Sequence, residues 1–390
     1  MTVQYFDWAA TSPISERALS AYTESARTYR GNPSSLHEEG RAAARFLTMQ
    51  RQASARLLGV QPQQICYTSG ATEANAIIMQ SLLWRRQPGK VILSSLEHDS
   101  ILQYRRLLET YGFEVVIVGA PKGYVDPKEI AANLDERTQM ICLLLVSNVL
   151  GTVQDIASVS SLLARHRQET GRRVHLHCDA VQAIGKITFD LDKLGVDSAS
   201  FSAHKFQGPR GTGMLYLGTS TVEALSRGGA QEQGIRPGTE HVAAIAAMNV
   251  ALEDALAQEQ EHLLRARRIR RAFERRLEDH AGLMLLSPSV DSGLAATPYI
   301  CSVAAQGVPS EVLTRILYDM GYCVSSGSAC SNNAPGKKHG LLVSAGFSPS
   351  LASSAIRVSF GPDTAEDEII GLADAIGTEA GKLKKITRKR

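Results

Sequence analysis

The chain has 390 residues, more than one ordinary hydrophobic core needs, and this length predicts two domains or a large domain with a smaller lobe. Its hydrophobic share of 44% and charged share of 21% are those of a globular protein, and a net charge of +3 is too small to indicate direct nucleic-acid binding. A basic run at 382–390 fits a solvated terminus, with a binding patch as the alternative.

The sequence contains no obvious secretory or membrane segment. Residues 1–8 have neither the basic start nor the apolar stretch of a signal peptide, and no apolar run approaches the ~18 residues of a membrane helix. The six cysteines form no Cys-x-x-Cys pair, which excludes a zinc ribbon and a thioredoxin-type motif. We therefore expect a cytoplasmic protein with reduced thiols and no membrane partner.

Short apolar runs alternate with helical patterns in chain order. The predicted strands are 65–68, 90–94, 114–118, 140–146 and 174–178, and the predicted helices include 71–86, 99–111 and 157–169. This alternation predicts an α/β fold with a mostly parallel sheet, in which ligands bind beyond the carboxyl ends of the strands. A helix-rich stretch at 241–280, charged in its second half, is interpreted as a long amphipathic connector into a second lobe.

The segment 200–213 is the most informative in the chain. It places Lys205 after Ser202 and His204 and just before a glycine-rich turn. A lysine can form a Schiff base with an aldehyde cofactor, serine and histidine can donate to a phosphate, and glycines let the backbone pass close to a bulky ligand. These features are typical of a pyridoxal 5'-phosphate site; a surface lysine beside a loop is the alternative.

Two segments that follow predicted strands suit such a cofactor. Ala71 and Thr72 open a helix and can present backbone N–H groups and a hydroxyl to a phosphate, although a plain helix cap would also explain them. His98 can stack on a planar ring and transfer protons near neutral pH, or it can be an ordinary surface histidine.

Two more segments follow the strands at 140–146 and 174–178. Asn148 can bond a ring hydroxyl or simply form a turn. Asp179 can keep a pyridine nitrogen protonated, with Gln182 one helical turn further on, or it can cap the next helix.

The C-terminal part adds a cysteine and an arginine. Cys330 lies in a loop of small residues at 324–331, where a nucleophilic thiol would be accessible, while Cys323 suits a buried role. Arg357 lies in a predicted strand and is suited to bind a substrate carboxylate through two hydrogen bonds.

Over nearly its whole length the chain resembles the cysteine desulfurases, which are fold type I pyridoxal-phosphate enzymes of the class V aminotransferase type. The segments that carry the resemblance are 5–13, 31–37, 68–75, 97–98, 179–182, 200–213, 228–239, the Cys330 loop and Arg357. The Cys330 loop separates desulfurases from the other members of the class.

The resemblance implies a large cofactor-binding domain at 13–255 and a small α+β domain formed by 1–12 and 256–390. It further implies pyridoxal 5'-phosphate as cofactor, L-cysteine as substrate, and L-alanine and a persulfide on Cys330 as products. A homodimer with shared active sites is expected, together with a sulfur-acceptor or scaffold protein that leads to iron–sulfur clusters or thiolation.

The resemblance also implies a role for each site residue. Lys205 would bind the cofactor, Cys330 would receive the sulfur, and His98 would stack on the ring and act as an acid and base. The phosphate would be held by Ala71, Thr72, Ser202 and His204, and in the neighbouring subunit by Thr239. Asp179 would pair with the ring nitrogen, Asn148 and Gln182 would contact the ring hydroxyl, and Arg357 would bind the cysteine carboxylate beside Asn148.

The chain departs from the family pattern at Ser147 and Val149, where asparagine and glutamate are usual, and this bears on substrate preference. A selenocysteine lyase, a cysteine-sulfinate lyase or an aminotransferase would use nearly the same site, and a non-catalytic scaffold of the same fold is the alternative from another class. His175, His177 and Cys178 lack a further ligand cluster in the sequence, so we expect no metal.

Overall fold

The computed structural model describes residues 3–218, 222–327 and 340–387, with side chains up to Lys385. The strands are β1 (Gln4–Tyr5), β2 (Ile65–Thr68), β3 (Lys90–Ser94), β4 (Glu114–Val118), β5 (Thr138–Leu144), β6 (His175–Asp179), β7 (Ser198–Ser202), β8 (Gly213–Leu217), β9 (Leu283–Leu285), β10 (Ile300–Ala305), β11 (Tyr322–Cys323), β12 (Ser325–Ser326) and β13 (Ala355–Ser359).

The helices alternate with these strands. They are α1 (Glu16–Thr28), α2 (Glu38–Leu58), α3 (Ala71–Ser81), α4 (Asp99–Leu102), α5 (Tyr104–Thr110), α6 (Pro127–Asn133), α7 (Ile156–Thr170), α8 (Leu191–Leu194), α9 (Val242–Ala257), α10 (Glu259–Glu278), α11 (Ser310–Asp319), α12 (Gly340–Ser344), α13 (Pro349–Ser353) and α14 (Glu366–Thr387). Within the residues that the structure describes, no helix is long and apolar enough to cross a membrane.

The large sheet has seven strands in the order β2-β8-β7-β6-β5-β3-β4. From β7 to β4 every pair is parallel, and only β8 is antiparallel to its two neighbours. Side chains alternate between two hydrophobic clusters, for example Ile141 and Leu143 on one face of β5 and Met140 and Cys142 on the other. Helices cover both faces, as the continuous apolar runs require, and the predicted α/β fold with a mostly parallel sheet is confirmed.

The predicted strands at 65–68, 90–94 and 114–118 have the observed bounds. The strand predicted at 140–146 begins and ends two residues earlier, because the chain turns after Leu144 and Val146 forms an isolated bridge with Val153. The helix predicted at 71–86 ends at Ser81 and continues as a short 3₁₀ turn. The helix predicted at 99–111 is interrupted at Gln103.

A second sheet is antiparallel, in the order β12-β13-β10-β9, and a short parallel pair joins β1 to β11. Phe6 packs in one cluster with Phe273, Val303 and Phe360, so the first residues of the chain join the hydrophobic core of this second sheet. The division into 13–255 and 1–12 with 256–390 stays a prediction, and this packing supports it.

The stretch 241–280 forms two helices with a break at Gln258, so the expectation of one amphipathic connector is wrong. Helix α9 is rich in alanine and is buried on nearly all sides because it packs against α1 and α2. Helix α10 is amphipathic and contributes Ile269 and Phe273 to the second core.

A buried ion pair attaches the segment 231–234 to β2. The Arg51 guanidinium donates to both carboxylate oxygens of Glu232, at 2.6 and 2.8 Å, and the backbone N–H of Tyr67 donates to the same carboxylate at 2.8 Å. Glu232 is buried and has a backbone φ of +47°, a conformation that side chains other than glycine seldom adopt. The carboxylate contacts therefore stabilise a strained turn.

We expect Glu232→Ala to lower the free energy of unfolding by about 3 kcal/mol, because the partly buried Arg51 charge and the buried N–H of Tyr67 would lose their partner. Urea denaturation of the cofactor-free protein, followed by circular dichroism, measures the change. Glu38→Ala is the matched control, since Glu38 pairs with Arg41 and Arg45 on the surface and should have little effect. Equal losses in the two variants would contradict a special contribution from the buried pair.

Candidate active site

A cavity of about 510 Å³ lies beyond the carboxyl ends of the strands in the large sheet. Of the predicted site residues that the structure describes, all except Thr239 line it, namely Ala71, Thr72, His98, Asn148, Asp179, Gln182, Ser202, His204, Lys205 and Arg357. Most of these residues lie at or shortly after the carboxyl end of a strand of the large sheet, which explains their convergence, while Arg357 lies within β13 of the second sheet. Parallel strands deliver their ends to one edge of a sheet, whatever the separation of the residues along the chain.

Lys205 closes a 3₁₀ turn, Ala203–Lys205, that follows β7 directly. Its Nζ donates to the carbonyl oxygens of Ala9 and Ala10, each at 2.7 Å. A Cβ at Gly208 would lie 2.8 Å from the Cβ of Ala203. Glycine is therefore needed here because the turn packs tightly on Ala203, and not because the backbone passes close to a ligand. The amine is thus held at the cavity wall by backbone oxygens.

The start of α3 forms an anion cradle. Gly70 precedes the helix with a φ of +145°, and the first N–H groups of a helix have no acceptor within it. A Cβ at Gly213 would lie 2.6 Å from the Cα of Gly70, which shows how closely β8 passes the helix start. Ala71, Thr72 and Ser202 therefore surround a backbone site that suits a phosphate.

Asp179 ends β6 and is largely buried. Its Oδ1 accepts from the backbone N–H of Val181 at 3.1 Å, and its Oδ2 accepts from Asn75 Nδ2 at 3.0 Å. Gln182 donates from Nε2 to the carbonyl of Ala9 at 2.9 Å, while its buried Oε1 has no hydrogen-bond partner within the described part of the chain. A donor on a ligand would satisfy that oxygen.

Two histidines, His98 and His204, line the cavity. His98 Nδ1 accepts from the backbone N–H of Ser100 at 3.1 Å and lies 3.0 Å from Ser100 Oγ, which leaves the ring proton of the neutral form on Nε2. His204 Nδ1 lies 3.1 Å from Thr11 Oγ1. Burial, together with the nearby Lys205 charge, lowers the pKa of His204 to about 4, so His204 is neutral near pH 7.

Arg357 lies in β13, where the second sheet approaches the cavity. Its Nη2 donates to Asp7 Oδ1 at 2.7 Å and to Ser325 Oγ at 3.2 Å, and its Nη1 donates to the carbonyl of Asn148 at 3.1 Å. Its Nε is buried and has no partner among the described residues. Two of the five guanidinium N–H groups, one on Nη1 and the one on Nε, therefore have no partner among the described residues.

The turn at 147–151 explains how the chain accommodates its departure from the family pattern. Ser147 Oγ accepts from the backbone N–H groups of Val149 and Leu150, at 3.4 and 3.1 Å. Val149 is buried in an apolar cluster with Leu150, Ala304 and Leu342, a place that would disfavour a carboxylate. The serine caps the turn, and the valine belongs to a hydrophobic surface.

Thr239 does not line the cavity, and Cys330 cannot be placed relative to it. Thr239 is exposed, and its expected contact lies in a partner subunit, so a single chain leaves that role a prediction. Cys330 lies outside the described residues. The strand before it, β12, pairs with β13 so that Ser325 stands opposite Arg357.

Several residues of the site were missed by the sequence reasoning. Ala9 and Ala10 act through backbone carbonyls, which no side-chain pattern reveals, and Asn75 lies in the segment 68–75, where the sequence gives its side chain no role. Lys186 is buried and donates from Nζ to the carbonyl of Lys205 at 2.8 Å. The sequence feature that could have indicated Lys186 is a lysine within an apolar run, shortly after Asp179.

The histidines considered as metal ligands have other partners. His175 Nε2 and His177 Nδ1 lie 2.7 and 2.8 Å from Ser198 Oγ. No group of three or more potential metal ligands occurs within residues 3–218, 222–327 and 340–387.

Burial, followed by the neighbouring Lys205 charge, lowers the pKa of Lys186 to about 7. Because an unfolded lysine has a pKa of about 10.4, the unfolded state binds more protons between these values, and stability rises with pH there. Between pH 7 and 9.5 we expect wild-type protein to gain about 3 kcal/mol relative to Lys186→Met. Urea denaturation of the cofactor-free proteins at both pH values measures this, with exposed Lys193→Met as control; parallel pH profiles of wild type and Lys186→Met would contradict it.

Comparison with known proteins places these features in a family. Residues 4–372 match the aminotransferase class-V family. A NifS/IcsS protein homolog from Lactobacillus delbrueckii subsp. bulgaricus is 36% identical, with 98% of this chain and 99% of the relative covered. A cysteine desulfurase IscS from Klebsiella pneumoniae subsp. pneumoniae is 34% identical, with coverage of 98% and 94%.

A solved NifS-like protein structure has a TM-score of 0.87 and 30% identity, and the match covers 98% of this chain and all of that structure. The likeness therefore extends over both sheets and the cavity between them. Enzymes of this class depend on pyridoxal phosphate. The chain belongs to the aminotransferase class-V family and, within it, to the NifS/IscS group of cysteine desulfurases.

Proposed function

We propose that this protein is a cysteine desulfurase, which uses pyridoxal 5'-phosphate to convert L-cysteine into L-alanine and a persulfide on Cys330. The observation that carries the proposal is the convergence of a lysine amine, a buried carboxylate and a partly unsatisfied arginine on one cavity, in Lys205, Asp179 and Arg357. Relatives of nearly equal length carry the name cysteine desulfurase.

The residues present fit pyridoxal phosphate. The first turn of α3, with Ser202 and neutral His204, would hold the phosphate through N–H and O–H donors, and Thr239 of a second copy would complete that set. The unsatisfied Oε1 of Gln182 suits the ring hydroxyl, near Asn148, and the Asp179 carboxylate suits a protonated ring nitrogen. When bound, the cofactor supplies an electron sink for the negative charge that develops at the substrate Cα.

The protein's own groups perform the binding and proton transfers. Arg357 binds the substrate carboxylate, and Lys205 holds the cofactor and then removes the Cα proton. His98, with its neutral-form proton on Nε2, is the second group for proton transfer at the cavity wall. The positions of these side chains on one cavity support these assignments.

The sulfur step balances without an external oxidant. The Cys330 thiolate attacks the substrate sulfur, an S–S bond forms, and the C–S bond breaks. The electron pair of that bond stays with the carbon skeleton, which is protonated and leaves as alanine. A thiol reductant or an acceptor protein then takes the sulfur from Cys330.

We infer a homodimer as the working form, because Thr239 is exposed and lies outside the cavity of its own chain. A sulfur-acceptor or scaffold protein at the Cys330 loop, with delivery to iron–sulfur clusters or thiolation, follows from the proposed persulfide. The five cysteines that the structure describes are free thiols, which supports the predicted cytoplasmic location.

The function is tested by incubating the cofactor-loaded protein with L-cysteine and a thiol reductant and measuring alanine and sulfide together. We expect equal yields, and Cys330→Ser should bind the cofactor normally while sulfide release falls to background. Cys323→Ser is the matched control and should remain active, because burial raises the pKa of the Cys323 thiol and disfavours the thiolate. Sulfide release that persists in Cys330→Ser, or loss of activity in Cys323→Ser alone, would contradict the assignment.

Arg357→Lys should raise the KM for cysteine about tenfold or more, because an ammonium cannot reproduce the planar pair of donors. The affinity for pyridoxal phosphate should stay within about twofold. Steady-state kinetics with a parallel cofactor titration separates the two effects. Arg265→Lys, which changes an arginine bonded to the carbonyl of Thr364 outside the cavity, is the control, and an unchanged KM in Arg357→Lys would refute the role.

A further inference from the structure

A chain of polar side chains, partly buried at His175 and buried from there on, runs along one face of β6 and ends at Asp179. The two-residue period of a strand puts His175, His177 and Asp179 on the same face. Ser198 Oγ lies 2.7 Å from His175 Nε2 and 2.8 Å from His177 Nδ1, and His177 Nε2 lies 2.9 Å from Asn75 Oδ1. Asn75 Nδ2 completes the chain to Asp179 Oδ2 at 3.0 Å.

The acceptor at the end of this chain fixes its direction. A carboxylate only accepts hydrogen bonds, so Asn75 must present its amide nitrogen to Asp179 and its oxygen to His177. His177 then donates from Nε2 and accepts at Nδ1 from the Ser198 hydroxyl, which in turn accepts from His175 Nε2. Burial lowers the pKa of His177 to about 3 and that of His175 to about 4, so both rings are neutral and each has a single proton.

A second branch leaves the same amide nitrogen. Asn75 Nδ2 donates to Ser100 Oγ at 2.8 Å, and Ser100 Oγ lies 3.0 Å from His98 Nδ1. Because Ser100 accepts from Asn75, its own hydroxyl proton is directed at the ring nitrogen of His98. One N–H of the Asn75 amide therefore donates to Asp179, and the other is linked to His98 through the hydroxyl of Ser100.

We propose that Asn75 is the positioning residue of this site, held by His177 and setting the orientation of both Asp179 and His98. The roles of Asp179 and His98 in binding the cofactor rest on the proposed function. The hydrogen bonds that Asn75 makes toward them do not depend on that function. Asn75 is fully buried, so its amide has no water to replace a lost partner.

The hydrogen bond from Asn75 to Asp179 matters more because a second carboxyl group, that of Glu97, lies nearby. Glu97 is buried, accepts from the backbone N–H of Leu144 at 2.7 Å, and its Oε2 has no partner within the described chain. Burial, with the nearby Asp179 charge as the second cause, raises the pKa of Glu97 well above its usual range. Glu97 therefore favours its neutral form, whereas Asp179 accepts two N–H hydrogen bonds, from Asn75 and Val181.

The direction of the chain is tested first in unmodified, cofactor-free protein with nitrogen-15-labelled histidine. The nitrogen shifts of each ring report which nitrogen is protonated, and we expect the proton on Nε2 in His98, His175 and His177. A proton on Nδ1 of His177 would overturn the proposal. This measurement requires no substitution and no activity.

The positioning role is tested with Asn75→Leu, which has a similar volume and no polar atoms. We expect pyridoxal phosphate to bind at least about tenfold more weakly, and His177, without its acceptor, to populate both tautomers. Gln80→Leu is the matched control, since Gln80 is an amide on the same helix that bonds Tyr104 outside the cavity. It should leave the cofactor affinity and the His177 spectrum unchanged.

An Asn75→Leu protein with wild-type cofactor affinity and an unchanged His177 spectrum would overturn the proposal. If Asn75→Leu does not fold, the tautomer of His177 in the unmodified protein still tests the proposal. If both expected results hold but no sulfide forms from cysteine, the proposed function fails while the positioning role stands.

Discussion

The cavity depends on the way the first dozen residues join the two sheets. Phe6 is buried in the core of the second sheet, and Asp7 receives the guanidinium of Arg357 from that sheet. Directly after them, the carbonyls of Ala9 and Ala10 receive the Lys205 amine from the large sheet. A few consecutive residues therefore bond both halves of the site, and the distance between the lysine and the arginine follows from this short connection.

The protonation states of the site follow from burial more than from pairing. Burial keeps His204 and the two histidines of β6 neutral, and it favours the neutral forms of Glu97 and Lys186. Asp179 and Arg357, by contrast, each have several hydrogen bonds within the site. A buried environment that shifts the pKa values of neighbouring titratable groups is usual where proton transfers take place.

Much of the site could be predicted because its side chains follow strands. Lys205, Asp179 and His98 each come just after an apolar run, and the parallel order of those runs brings the residues together. The same reasoning could not find Ala9 or Ala10, since they contribute main-chain oxygens. It also could not join Asn75 to His177, because the register of helix α3 over β6 depends on three-dimensional packing.

Where local sequence failed, tertiary contacts explain the failure. The apolar first half of 241–280 is predicted to be part of one amphipathic helix. It instead forms α9, which packs against α1 and α2 and is buried on almost every side. Val149 stands where the family resemblance predicts a glutamate, and two of its apolar neighbours, Ala304 and Leu342, are more than 150 residues away along the chain. A one-dimensional pattern does not contain those neighbours.

The contact between Asp7 and Arg357 has a consequence for selectivity. The guanidinium already has one carboxylate partner, so an incoming amino acid meets a cation whose charge is largely compensated. A second carboxylate gains mainly from the geometry of the remaining N–H donors and less from net charge. The site therefore favours ligands of the right shape over anions in general, and abundant small anions in the cell would compete poorly with an α-amino acid for this position.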